Sequence, residues 1–161
     1  PALVAAPGQV ALPVRPMRVL FVCTHNSARS QMAEGLLRHM AATQVEVFSA
    51  GSQPQPIHPE AIRTMDTFGV DLRRQRAKSL DEMTGVAFDY VVTVCDRARE
   101  TCPTFPGQGQ QLHWGFYDPA ALADPVERQR AFTEIAQRLQ IRIGYFLADL
   151  AAKPDARSSI T

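Results

Sequence analysis

Cys23 and Arg29 bracket the five residues "THNSA", which follow the apolar run "VLFV" and precede a helical pattern. A thiol at the mouth of a short polar loop is a nucleophile placed where backbone N–H groups can converge on an anion. Arg29 adds a planar fork of donors that matches a tetrahedral oxyanion. Ser30 is within reach in sequence to donate its hydroxyl to the sulfur, and the positive end of the following helix favours a thiolate there. The loop as a whole, Thr24, His25, Asn26, Ser27, Ala28 and Arg29, is the candidate anion cradle, with Asn26 suited to a left-handed turn position. Further along, Asp118 precedes Pro119, a pairing that biases the aspartate toward extended backbone and fixes the local chain, and that by itself also fits an ordinary turn. Cys95 and Cys102, with six residues between them, are two more thiols capable of disulfide exchange.

The elements that must position these groups are readable from periodicity. "MRVLFV" (17–22) is a continuous β-branched and apolar run, as in a strand covered on both faces, and "VEVFSAG" (45–51) is a second strand closed by Gly51. "FDYVVTVC" (88–95) predicts a third strand and "LHWG" (112–115) a short fourth. From Ser30, the residues Met32, Ala33, Leu36, Leu37 and Met40 recur at helical spacing. Pro59 opens a helix through Ala61, Ile62, Met65 and Phe68 that stops at Gly69. "SQPQPIHP" (52–59) is a surface loop before it. A long helix starts at Asp124 and carries Phe132, Ile135, Leu139, Ile143, Phe146 and Leu150 along one side. Strands alternating with helices predict an α/β fold with a parallel sheet, in which ligands bind beyond the carboxyl ends of the strands. Cys23 and Cys95 both fall at such ends.

Bulk properties narrow the function classes. The 161 residues suit one domain; 45% hydrophobic and 20% charged residues are ordinary globular values. A formal charge of +1 offers no general basis for binding nucleic acid or an anionic membrane. No apolar run approaches the ~20 residues that span a bilayer. Residues 1–16, broken by four prolines, are expected to be a flexible extension without the basic start of a secretory signal. Residues 17–150 are expected to be the catalytic domain and 151–161 a tail. Three cysteines without a signal predict reduced thiols and a cytoplasmic protein.

"CTHNSARSQMAEG" resembles the phosphate-type loop of low-molecular-weight protein tyrosine phosphatases and of their relatives, the thioredoxin-coupled arsenate reductases. The resemblance runs from about Met17 to Leu150 and includes "SAG" (49–51), "HPEAI" (58–62), "VVTVCD" (91–96) and "HWGFYDP" (113–119). His25 stands where the phosphatase loop usually has glycine, and Ala28 where it has a second cysteine. The resemblance implies a three-layer α/β domain with a four-stranded parallel sheet flanked by helices, of flavodoxin-related topology. It also implies Cys23 as nucleophile, Arg29 and the loop as oxyanion site, and Asp118 as the acid that protonates the leaving oxygen. Phosphate and sulfate would compete with arsenate for such a loop.

A phosphatase needs no cysteine beyond Cys23, whereas the resembling reductases use two more, at the separation of Cys95 and Cys102. By that resemblance, Cys23 attacks arsenic, Cys95 then attacks Cys23 to release arsenite, and Cys102 attacks Cys95. The resulting Cys95–Cys102 disulfide would be reduced by thioredoxin. Arg97 and Arg99, in the polar segment between those cysteines, are expected to favour thiolates. A phosphatase, or a reductase drawing on a small thiol such as mycothiol or glutathione, remains an alternative. Some relatives hold potassium behind the loop with side chains matching Asn26, Glu34 and Ser49, and Lys78 is expected to replace that cation here. No cofactor is expected, and no metal, since neither C-x2-C nor H-x3-H spacing occurs. His58 and His113 read as packing or capping residues, Trp114 as core, and "RRQR" (73–76) as a solvated loop. A monomer is expected.

Overall fold

The chain is described by a computed structural model over residues 15–107 and 109–153. Its centre is strand β1, Met17–Cys23, in which Val19, Leu20, Phe21 and Val22 are wholly buried. A strand can be apolar on both faces only if both are covered, and here both are. β2 (Val45–Gly51) pairs along one side of β1, from Met17 opposite Val45 to Cys23 opposite Gly51. β3 (Tyr90–Thr93) pairs along the other side, and β4 (Gln110–His113) extends the sheet beyond it. All pairings are parallel and the order is β2-β1-β3-β4. The carboxyl ends Cys23, Gly51, Thr93 and His113 therefore lie along one edge.

The two faces are unequal. Val19, Phe21 and Cys23 join a core with all three α-helices of the described residues: α1 (Arg29–Ala41), α2 (Pro59–Thr67) and α3 (Pro125–Ala152). Leu20, Val22 and Ala50 face the other way, onto Met83, Phe88 and Val91. That face is covered by a 3-10 turn at Leu80–Met83 and adjoining loops, a thinner layer than the expected helices on both faces.

Helix ends follow local chemistry. The His58 ring accepts the Glu60 N–H at the start of α2, with Pro59 in the first turn. Gly69, with φ of +75°, ends it, and the Val70 N–H returns to the Met65 carbonyl at 2.9 Å. Asp124 caps α3 by accepting the Glu127 N–H at 2.9 Å. The 28 residues of α3 bury Phe132, Ile135, Leu139, Ile143 and Phe146.

The third strand is shorter than the apolar run 88–95 predicts. Val94 still donates to the Val22 carbonyl at 3.0 Å, but Cys95 then leaves the sheet for a turn at Asp96–Glu100. At the other end Phe88 packs in the smaller core, and the Asp89 carboxylate receives the Arg18 N–H and the Arg15 side chain. The fourth strand sits two residues earlier than "LHWG", and Trp114, 5% exposed, lies in the core. Of the expected extension, residues 1–14 lie outside the described residues, as do 154–161 of the tail.

Candidate active site

The loop after β1 is shaped from outside by its carbonyls. Those of Thr24, His25 and Ser27 accept the N–H groups of Gln53, Gln55 and His58 at 2.8, 2.9 and 2.8 Å. The proline-rich segment before α2 thus clamps the loop. Asn26 takes the left-handed position, with φ of 51°, and its N–H donates to Cys23 Sγ at 3.1 Å. Cys23 is a free, buried thiol whose sulfur is also 2.8 Å from Ser30 Oγ. Ala28, at the helix start, offers no side-chain acceptor to the first turn of α1. Gly51 is obligatory beside the loop: a Cβ there would stand 2.5 Å from the Thr24 carbonyl oxygen and 2.9 Å from the Asn26 nitrogen.

Behind the loop, Asn26, Glu34, Ser49 and Lys78 come together. Asn26 Nδ2 donates to Ser30 Oγ and Ser49 Oγ at 2.8 and 2.9 Å, and Ser49 Oγ donates to Glu34 Oε1 at 2.8 Å. The Lys78 ammonium lies 3.1 Å from that same Glu34 oxygen, and Arg38 reaches the other. Two cationic side chains thus flank the Glu34 carboxylate behind the loop. Gln31, unnoticed in the sequence, is wholly buried and ties Asn26 Oδ1 to the Arg76 carbonyl.

Arg29 is 4% exposed, and its fork is already engaged. Nη1 and Nη2 meet the two carboxylate oxygens of Glu100 at 2.5 and 2.6 Å, Nη1 also donates to the Phe116 carbonyl, and Asp118 Oδ2 lies 3.9 Å from Nη2. Burial works against the charge on Arg29, but the Glu100 hydrogen bonds and the nearby anions outweigh it and raise its pKa. Nothing local in the polar segment "DRARET" marks Glu100 as the partner of Arg29.

Asp118 is brought beside Arg29 by a 3-10 turn, Pro119–Ala121, whose Ala120 N–H its Oδ1 accepts at 3.0 Å. Oδ2 is the oxygen directed to the arginine. Cys95 and Cys102 are joined by a disulfide, with Cα atoms 5.8 Å apart. Arg97 donates to Thr93 Oγ1 at the end of β3, and Arg99 pairs with Asp96 at the start of the turn, so the contacts of both arginines are to oxygens. His113 bonds Thr93 Oγ1 at 2.7 Å, and burial followed by the Arg97 charge lowers its pKa. In "RRQR", Arg73 and Arg76 form exposed pairs with acids, while Gln75 reaches Gln31. Among the described residues no cluster of three or more His, Cys, Asp or Glu is placed to hold a metal ion.

The arsenate reductase of Halalkalibacterium halodurans is 35% identical over 129 residues, which is 80% of this chain and 93% of that protein. The thioredoxin-dependent arsenate reductase of Corynebacterium glutamicum superposes with a TM-score of 0.67 at 32% identity, over 87% of this chain and 64% of that longer one. A structure titled an arsenate reductase in oxidized state superposes with a TM-score of 0.71 at 26% identity, over 83% of this chain and 98% of that one. The family model described as low molecular weight phosphotyrosine protein phosphatase matches residues 18–156. The chain belongs to that family.

Proposed function

We propose that this protein is an arsenate reductase in which a three-cysteine relay supplies two electrons to the oxyanion. The observation that carries the reading is the Cys95–Cys102 disulfide beside a phosphatase-type loop whose Cys23 remains a free thiol. Phosphatase chemistry gives no reason for that pair.

Arsenate binds in the loop on backbone N–H groups and Arg29. Cys23 forms a sulfur–arsenic bond as one hydroxyl leaves as water, protonated by Asp118. Ser30 and the Asn26 N–H hold the sulfur in place. The Cys95 thiolate then attacks the Cys23 sulfur, and the electron pair of the sulfur–arsenic bond passes to arsenic, which leaves as arsenite. Cys102 attacks Cys95, freeing Cys23 as a thiol and leaving the disulfide at Cys95–Cys102. A dithiol reductant, with thioredoxin the natural candidate, restores the pair with two electrons and two protons.

We place the protein in the reducing cytoplasm, as a monomer. Among the described residues no helix is long and apolar enough to cross a membrane. Arsenate reductase names among the relatives support the substrate. The family model favours a second reading, a tyrosine phosphatase that uses Cys23, Arg29 and Asp118 alone.

The test is a single turnover: fully reduced protein with arsenate and no other reductant, followed by thiol-blocked peptide mapping. A Cys95–Cys102 bond formed only with arsenate is the expected result. Survival of all three thiols would leave a phosphatase, or a reductase that borrows its second thiol from mycothiol or glutathione.

A further inference from the structure

The six residues between Cys95 and Cys102 form a tight turn, with the N–H groups of Arg99 and Glu100 donating to the Asp96 carbonyl at 3.1 and 2.8 Å. The disulfide joins the two ends of that turn. Of its side chains, Glu100 is the one directed at the anion site. Its carboxylate spans Arg29 Nη1 and Nη2, and its Oε2 also accepts the Asp96 N–H at 2.8 Å. The Thr24 hydroxyl, in the anion loop itself, contacts the Thr101 carbonyl at 3.5 Å, so the turn lies against the loop.

A carboxylate and a tetrahedral oxyanion want the same pair of parallel N–H donors from a guanidinium. Arg29 is buried with one fork, so Glu100 and a bound oxyanion compete for it. Burial disfavours ionised Glu100, but hydrogen bonds from Arg29 and Asp96 outweigh this and hold its carboxyl below the usual range. Glu100 is thus an anion at neutral pH.

Glu100 belongs to the turn whose two ends the disulfide joins, so breaking that bond removes a covalent constraint on the backbone that carries it. We propose that Glu100 is a redox-linked gate on oxyanion binding: with the Cys95–Cys102 disulfide closed it occupies the Arg29 fork, and reduction releases the fork to the substrate. The gate rests on the reductase reading above and adds to it. Two electrons and two protons from a dithiol convert the disulfide to two thiols, and the turn is no longer covalently closed. The spent enzyme then does not hold arsenate or phosphate while it waits for reductant. Its buried guanidinium meanwhile keeps a counter-charge, which a buried cation requires.

Phosphate affinity, measured by isothermal titration, tests the gate on wild type, Glu100→Gln and Glu100→Ala. Each is prepared fully reduced and with the Cys95–Cys102 disulfide, mapped by peptide analysis. Oxidised wild type should bind phosphate at least about tenfold more weakly than reduced wild type, the scale of one charge-assisted hydrogen bond. In both variants the two redox forms should agree within about twofold, since the competing anion is gone. Equal affinities in the two wild-type forms would overturn the gate. So would a redox difference that survives in the variants, or a loss of affinity shared by both redox forms, which marks a merely structural role. Absence of phosphate binding in every reduced sample would instead overturn the oxyanion-site reading, and the gate with it.

Discussion

Lys78 Nζ stands 3.1 Å from Glu34 Oε1, with the two side chains 13% and 4% exposed. The ammonium also donates to the Arg76 carbonyl at 2.7 Å, and the Lys78 N–H donates to Asn26 Oδ1 at 2.8 Å. A fixed charge therefore stands against Glu34 behind the loop. Wild-type melting temperature should be the same in potassium chloride and in choline chloride of equal ionic strength. Lys78→Ala should lose about 2 kcal/mol, less than a fully uncompensated buried charge because Arg38 still reaches Glu34, and should regain part of it with potassium. A potassium-dependent rise in the wild type would refute the substitution of ammonium for cation.

Removal of Asp118, the proton donor proposed above, should be felt in proportion to how badly the leaving group needs a proton. With aryl phosphates as surrogate substrates, Asp118→Asn should lower kcat by about 10²-fold or more for phenyl phosphate. The loss should be much smaller for p-nitrophenyl phosphate, whose leaving oxygen departs readily as an anion. Comparing kcat for the two esters in wild type and variant checks this. An equal loss on both would show that Asp118 acts through Arg29, 3.9 Å away, instead of through the leaving oxygen.

Much of this site was legible because its parts are local. Cys23, Asn26, Arg29 and Ser30 lie within eight consecutive residues, and the strand before and helix after them are set by their own apolar periods. Asp118 is local too, fixed by Pro119 and its own bond to Ala120. What was missed depends on residues far apart in the chain. Glu100 sits between charged neighbours that suggest a solvated turn, and its partner Arg29 is 71 positions away. The ends of β3 misled because Phe88, Val94 and Cys95 are apolar through core packing that extends beyond the paired residues, and Cys95 also forms a disulfide. The thin second face could not be read either, since Leu80–Met83 is too short to show a helical period.

The Glu100–Arg29 pair makes the stability of the oxidised protein depend on pH with a definite sign. Glu100 has a native pKa below its ordinary 4.5, chiefly through Arg29 hydrogen bonding that overcomes burial. Its contribution is therefore complete above that ordinary value and disappears as pH falls through the depressed native one. Unfolding free energies of oxidised wild type and Glu100→Gln, measured by urea titration, should differ most at neutral pH. The difference should shrink progressively below about pH 4.5. A difference that does not vary with pH would mean that the carboxylate charge is irrelevant to the contact.

Ser30 makes two contacts that meet at its hydroxyl, with Cys23 Sγ at 2.8 Å and Asn26 Nδ2 at 2.8 Å. Since Asn26 Nδ2 donates, Ser30 is left free to direct its own proton at the sulfur. Ser30→Ala removes that donor without changing the packing volume much. Alkylation of Cys23 by iodoacetamide at neutral pH, in the fully reduced protein, should slow by about tenfold, the scale of one hydrogen bond to a charged acceptor. An unchanged alkylation rate would assign the stabilisation of the sulfur to the Asn26 N–H alone.

Gly51 closes β2 opposite Cys23, where two backbones approach too closely for any side chain. Its N–H donates to the Lys78 carbonyl at 2.9 Å, so it cannot shift outward without also pulling on the segment behind the loop. The obstacles to a Cβ are backbone atoms of Thr24 and Asn26, which are themselves held by Gln53 and by Cys23. Relief by side-chain rotation is thus excluded. Gly51→Ala should destabilise the fold by about 2 kcal/mol, as overpacking of a tight site does. It should also weaken phosphate binding to the reduced protein far more than that figure alone suggests, because the strain falls on the Asn26 position that shapes the loop. Melting temperature and phosphate titration on the same preparation separate the two effects. Normal phosphate affinity in a destabilised variant would show that the loop tolerates displacement of Asn26, and that its shape is held by the carbonyl contacts to residues 53–58 instead.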